Sequence, residues 1–229
     1  MQEDKLLLFD LDGTLVNLRG VGFRSLKIIT KEILNSDKDI SSIDVYGKTD
    51  TQIFEDIVNF INFDKKNFKQ IYNKFVNRYL YYLKKEVQKI DFDPVINNIR
   101  EFLADVSKRK NIYIGLLTGN IKKGAKIKLS RWGILKYFKF GAFGDDNINR
   151  NKLVPIAKKR AEELFSKKFK KKNIYIIGDT PKDIEAAKKN NVISVAIASG
   201  NYNKEYLAKF SPDFLFENIS EFLPFLDDV

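Results

Sequence analysis

The chain contains no cysteine and no histidine. Without cysteine there is no disulfide, no thiolate metal site and no cysteine nucleophile, and a cytoplasmic setting is expected. Without histidine there is no Ser-His-Asp triad, no histidine-held zinc and no imidazole acid or base. Proton transfer near neutral pH therefore falls to carboxylates, lysine or tyrosine. No stretch approaches the roughly 20 apolar residues of a membrane helix. Met1 to Lys5 run straight into a strand-like segment, leaving no room for a signal peptide, and no membrane partner is expected.

What is present suits a sizeable core. The 229 residues are 44% hydrophobic and include 19 phenylalanines, enough for one large domain or a core with a smaller insert. Net charge is +11, with lysines spread over helix faces and one dense run, Lys167-Lys168-Phe169-Lys170-Lys171-Lys172. Such a run either attracts nucleic acid or an anionic surface, or is a solvated loop. No nucleic-acid motif accompanies it, so the loop is preferred and no nucleic-acid partner is expected. A monomer and a homodimer both remain open.

The chain is organised around residues 6–14. Leu6-Leu7-Leu8-Phe9 reads as a short strand buried on both faces, as in a parallel sheet. Asp10 and Asp12 follow at its carboxyl end, and Gly13 permits a tight turn. Ligands of open α/β sheets sit outside the carboxyl ends of the strands. Two carboxylates side by side there repel, unless a cation or a proton lies between them. The alternative is an ordinary Asp-x-Asp-Gly turn with solvated side chains.

Residues 17–91 change to helical spacing. Phe23, Leu26, Ile29 and Ile33 or Leu34 form one stripe. Ile53, Phe54, Ile57, Val58 and Ile61 form a second, and Phe68, Ile71, Tyr72, Phe75, Tyr79, Leu80 and Leu83 a third. This predicts a helical insert, with Thr49 or Asp50 capping its second helix. Asp91-Phe92-Asp93-Pro94 reads as the return linker, Pro94 opening a helix over 95–109. Strand and helix then alternate: strand 112–117, helix 121–132 closed by Gly133, a short strand near 139–143, helix 153–166, strand 173–177, a helix from Pro181, strand 192–197, a short strand 213–216 and a helix 218–226. That pattern predicts an α/β fold, a doubly wound, Rossmann-like parallel sheet formed by residues 1–16 and 92–229, with the α-helical insert as a cap over its carboxyl edge.

Three polar signatures end strands at that edge: Asp10/Asp12, Thr118-Gly119-Asn120, and Gly178-Asp179 with Asp183 one turn later. An oxygen-only cluster favours a hard cation such as Mg²⁺, which needs one or two carboxylates plus phosphate and water. Phosphoryl transfer is physically sensible there.

Phe9-Asp10-Leu11-Asp12-Gly13-Thr14-Leu15-Val16 resembles the first motif of the haloacid dehalogenase superfamily. Leu117-Thr118-Gly119-Asn120 resembles its second, and Gly178-Asp179-Thr180-Pro181-Lys182-Asp183 its fourth. The resemblance spans almost the whole chain. It implies Asp10 as a nucleophile forming an aspartyl phosphate and Asp12 as acid and then base. It implies Mg²⁺ held by Asp10, the Asp12 carbonyl and Asp179, with Asp183 anchoring the site. Thr118, with the amides of Gly119 and Asn120, would bind the phosphoryl group. For the third motif, the resemblance leaves Lys152 and Arg150 open, Lys152 first. Asp12 argues against a dehalogenase, whose family pattern lacks that residue. It implies a phosphatase for a small phosphorylated metabolite, with a sugar phosphomutase as the alternative. The insert resembles the helical cap of the phosphoglycolate-phosphatase-like branch. Gly47, Lys48 and Thr49 would lie on its substrate-facing loop, with Lys48 meeting a carboxylate or second anionic group. The alternative is a helix start capped by Thr49 or Asp50 with Lys48 in solvent. Arg19, Phe23 and Arg24 are further candidates for the cleft.

Overall fold

The protein is described from a computed structural model that covers residues 3–64 and 68–226. Met1, Gln2 and the side chain of Phe68 lie outside the described residues. Six strands form one parallel sheet: β1 Lys5–Phe9, β2 Ile112–Leu117, β3 Gly141–Ala142, β4 Ile174–Gly178, β5 Ile193–Ile197 and β6 Phe214–Phe216. Their spatial order is β3-β2-β1-β4-β5-β6. The direction of winding reverses between β1 and β4, so the switch point, where such sheets bind ligands, lies beside the end of β1. Leu7 is paired with Ile114 on one side and Tyr175 on the other.

Burial explains the sequence of β1. All five of its residues are buried, as a central strand covered on both faces requires. Leu7 and Phe9 face one core layer, with Phe102, Leu103 and Ile177. Leu6 and Leu8 face the other, with Leu153, Ala157, Ile176 and Ala187. The period-2 alternation of strand side chains thus separates two apolar layers of equal necessity. The first layer is closed by α4 (Ile99–Val106), and the second by α6 (Leu153–Phe165) and α7 (Pro181–Asn190). Lys5 is the polar exception in β1, and its ammonium donates to the Leu226 carbonyl at 2.5 Å.

Between β1 and α4 the described residues form three α-helices and no named strand: α1 (Val21–Leu34), α2 (Asp50–Phe60) and α3 (Phe68–Gln88). Their stripes meet as the spacing predicts, with Phe54 against Phe75 at 4.3 Å between ring centroids. The outgoing and returning strands are tied together, Asn17 N–H donating to the Pro94 carbonyl at 2.8 Å and Ile96 N–H to the Leu15 carbonyl at 3.1 Å. Arg19 stacks on Phe92 across the same junction, 4.0 Å from its ring centre. The helical layer also reaches the sheet edge, where Asp50 N–H donates to the Gly119 carbonyl at 2.8 Å.

Several boundaries differ from those predicted. Pro94 does not open a helix; Val95 bridges Val16, and the helix starts at Ile99 behind a left-handed Asn98. The helix expected over 121–132 is α5, Lys122–Leu129, and the strand expected near 139–143 is two residues long. The segment 218–226 is two 3₁₀ turns, Ile219–Phe222 and Pro224–Leu226. Proline removes an amide donor and clashes with the preceding turn, which accounts for the break. Beyond β5 the described residues form one short α-helix, α8 (Lys204–Ala208).

The lysine run is anchored rather than free. Phe169 is buried within it, Lys167 pairs with Asp4, and Lys170 and Lys172 both pair with Glu3. No helix among the described residues is long and apolar enough to cross a membrane.

Phe9 is fully buried and packs edge-on against Phe102 and Phe138 at 6.1 and 6.0 Å. Phe9→Ala should cost about 3–5 kcal/mol of unfolding free energy in a denaturant titration; a cost within experimental error would contradict this core assignment.

Candidate active site

The end of β1 delivers Asp10 into the switch point. Its N–H donates to the Ile177 carbonyl at 2.9 Å, the last rung linking β1 to β4. Asp179 follows β4, and Asp183 lies in the first turn of α7. One carboxylate oxygen from each of Asp10, Asp179 and Asp183 lies within 4.8 Å of the others, and all three residues are buried. Asp183 is held in place by the capping box of α7: its Oδ2 accepts from Thr180 Oγ1 at 2.6 Å and from Thr180 N–H at 3.2 Å. Thr14 Oγ1 donates to Asp179 Oδ1 at 2.9 Å.

Three buried carboxylates need positive charge. Arg150 supplies one: its Nη2 lies 3.0 Å from Asp10 Oδ1 and 2.5 Å from Asp183 Oδ1. Burial works against the Arg150 charge, but Asp10 and Asp183 outweigh it and hold the guanidinium firmly protonated. One cation is not enough. Burial raises the Asp10 carboxyl from 3.8 to about 6; Arg150 opposes the rise, and Asp183 and Asp12 add to it. Asp179 is pushed well above the usual carboxylate range, by burial and then by the Asp10 and Asp183 charges. A cluster of oxygen ligands that resists its own ionisation is the donor set a divalent cation would relieve, so these residues fit a metal.

Asp12 points elsewhere. Its Oδ2 accepts from Asn120 Nδ2 at 2.7 Å and from Lys128 Nζ at 2.6 Å. Its carboxylate is therefore not part of the metal-like cluster, where the resemblance implied only the Asp12 carbonyl. Thr118, fully buried, accepts from Asn120 Nδ2 at 2.9 Å and from Asn120 N–H at 3.3 Å, which leaves the hydroxyl proton to donate. The Asn120 amide is thus turned onto Thr118, whereas the sequence suggested a phosphoryl group as its partner.

These groups open into a cavity of about 470 Å³ between the sheet edge and the helical layer. Asp10, Asp12, Thr118, Gly119, Asn120, Arg150 and Asp179 line its floor, and Arg19, Phe23, Gly47, Lys48 and Tyr79 its helical side. A Cβ on Gly119 would collide with the Lys48 carbonyl, so the loop before α2 rests directly on the loop after β2. Gly47 has φ +66° and packs beside Thr180 and Lys182, a backbone conformation and a closeness that favour glycine.

Not every candidate meets here. Lys152 is exposed and does not line the cavity, so of the two third-motif candidates the structure brings Arg150, not Lys152, to Asp10. Thr49 is buried as the N-cap of α2, accepting from Gln52 N–H at 3.1 Å and donating to the Ile148 carbonyl at 2.9 Å, and it does not reach the cavity. Lys48 lines the cavity but pairs with Asp56 at 3.0 Å. Arg24 reaches the Arg19 carbonyl and Glu86 on the surface.

Lys128 was not foreseen. It is 5% exposed, on the inner face of α5 with Gly124, Ala125 and Leu129. The signal was present: four residues after Gly124, it is the lysine that falls on the apolar face, while Lys122, Lys123 and Lys126 do not. Ser199, donating to the Gly13 carbonyl at 2.7 Å, was also missed.

Residues 7–197 match the haloacid dehalogenase-like hydrolase family. The chain belongs to that family and is a hydrolase of its α/β fold. It is 27% identical over 226 residues to the pyrophosphatase PpaX of Listeria monocytogenes, covering 97% of this chain and 96% of that one. The crystal structure of a predicted phosphoglycolate phosphatase from Haemophilus somnus superposes with a TM-score of 0.73 at 20% identity, over 98% of this chain and 99% of that one. A beta-phosphoglucomutase from Clostridium difficile does so with 0.72 at 20% identity, over 99% and 98%. At these identities the two structures speak for the fold alone.

The raised carboxyls set a pH dependence. Ionising a buried group whose folded value is about 6 rather than 3.8 costs stability. In metal-free protein its contribution is therefore full below about pH 4 and is lost as pH rises through 6. A divalent cation should then raise the melting temperature more at pH 7.5 than at pH 5 in a thermal-shift assay. An equal rise at both values would contradict the cluster as its binding site.

Proposed function

We propose that the protein is a Mg²⁺-dependent phosphatase of the cytoplasm that hydrolyses a small phosphorylated metabolite through a phosphorylated Asp10. The observation that carries this reading is the convergence of Asp10, Asp179 and Asp183 with Arg150 under a cavity of metabolite size. The donors are all oxygens, which favours Mg²⁺ over softer metals. Asp10, Asp179 and the Asp12 carbonyl would hold the ion, with Asp183 behind them, and it would supply neutralising charge for an incoming phosphate.

The chain's own groups then have distinct tasks. Asp10 attacks phosphorus and becomes an acyl phosphate. Asp12 protonates the departing oxygen and later takes a proton from the water that cleaves the acyl phosphate. Asn120 and Lys128 fix the Asp12 carboxyl for both steps. Thr118 donates its hydroxyl to the phosphoryl oxygens, with the Gly119 amide nearby, and stabilises the charge they carry. Arg150 holds Asp10 in line through the shared contact with Asp183. Residues 17–91 act as a cap over this core: closed, they exclude water from the first step, and opening admits it for the second.

Similarity along nearly the full length of a protein named a pyrophosphatase supports hydrolysis over the phosphomutase alternative. A generic aryl phosphate tests the reading. Wild type should turn it over with Mg²⁺ and lose activity with a chelator, and Asp10→Asn should lower kcat at least about 1,000-fold. Equal turnover by Asp10→Asn would overturn the nucleophile. Conversion of a hexose 1-phosphate to its 6-phosphate would favour the mutase.

A further inference from the structure

We propose that Lys128 is a specificity-determining residue: its ammonium takes a second anionic group, carried on the leaving side of the substrate. This rests on the phosphatase reading above and adds to it the kind of leaving group.

Four cations line the cavity. Arg150 is engaged by Asp10 and Asp183, and Lys48 by Asp56. Arg19 lies at the junction with its guanidinium over Phe92. Lys128 is different. It is buried, and among the described residues its ammonium makes one hydrogen bond, to Asp12 Oδ2 at 2.6 Å, while the charge of the buried Asp50 carboxylate also acts on it. An ammonium has three donors. Its charge is met by these two carboxylates, and two of its donors are left for a further acceptor.

Space for such an acceptor is built in. Gly22 of α1 faces the ammonium: a Cβ there would lie 3.5 Å from Lys128 Nζ and 3.4 Å from Tyr79 Oη. The missing side chain leaves a gap bordered by the ammonium and the hydroxyl, two donors from α5 and α3. Val21, Leu26 and Ile53 make the adjoining lining apolar, which strengthens any ion pair formed there.

Position then fixes which part of the substrate is met. Asp12 is the group assigned to protonate the leaving oxygen. Lys128 is bonded to that same carboxylate, so it stands beside the leaving group, while Thr118 receives the phosphoryl group. An anion within two or three bonds of the ester oxygen comes within its reach. The shared chemistry is a carboxylate or a second phosphate on a short leaving group.

The test compares phosphoglycolate with 2-hydroxyethyl phosphate, which keeps the length and replaces the carboxylate by an alcohol; pyrophosphate is the phosphate-bearing arm. In wild type, kcat/KM for phosphoglycolate or pyrophosphate should exceed that for 2-hydroxyethyl phosphate about 10- to 100-fold, the worth of one hydrogen bond to a charged group. Whichever of the two is preferred identifies the anion. In Lys128→Met that ratio should fall toward one, and Lys128→Arg should retain most of it. A ratio unchanged in Lys128→Met would overturn the proposal and leave Lys128 as a support for Asp12. Should Lys128→Met fail to fold, the wild-type protein decides the matter by calorimetry. Phosphonoacetate must bind more tightly than ethylphosphonate, and equal affinities overturn the proposal. Wild-type turnover of all three phosphates at equal efficiency overturns the Lys128 assignment alone. Turnover of none of them by folded, Mg²⁺-supplemented protein overturns the phosphatase reading and this proposal with it.

Discussion

Mutual repulsion among Asp10, Asp179 and Asp183 is the constraint on which the rest of the site depends. Each is buried, and each is delivered by a different part of the sheet edge: the end of β1, the end of β4 and the first turn of α7. A core built only for stability would not gather three carboxylates at its switch point, because their desolvation and repulsion oppose folding. Arg150 meets part of that charge, and the raised Asp10 and Asp179 carboxyls express the remainder. A divalent cation would offset what Arg150 leaves, and this is why the electrostatics and the proposed chemistry are one statement.

The parallel sheet makes this arrangement possible. Parallel strands bring all their carboxyl ends to one edge, and a crossover containing at least one helix separates each strand from the next. Residues far apart in sequence, such as Asp10 and Asp179, then become neighbours without distortion. The helical layer over that edge turns an open rim into a cavity. The loop before α2 fixes how closely it approaches, since the backbone of Lys48 lies against Gly119.

Much of this was legible in the residues. The apolar run 6–9 between polar neighbours is a central strand, and the helical stripes of 17–91 contain no period-2 segment that would compete. The carboxylates at strand ends gave the site its location. Less legible was anything decided by local rotation of the chain. Arg150 and Lys152 stand two residues apart in one 3₁₀ turn, whose three residues per turn send them to different sides. Spacing to Pro155 says nothing about which side faces Asp10. Pro94 looked like a helix start, but its carbonyl is needed by Asn17 where the two connecting segments pair. Lys128 was hidden by composition: among many surface lysines, one on an apolar helix face looks like the others until the register of α5 is known.

The central claim is that the phosphoryl group passes through the Asp10 carboxylate. Acid quenching of the enzyme during turnover with Mg²⁺, followed by peptide mapping by mass spectrometry, examines it directly. The account predicts one phosphoryl group on the peptide carrying Asp10, and only there. A phosphoryl group on another side chain, or rapid turnover with none captured at any quench time, would contradict it.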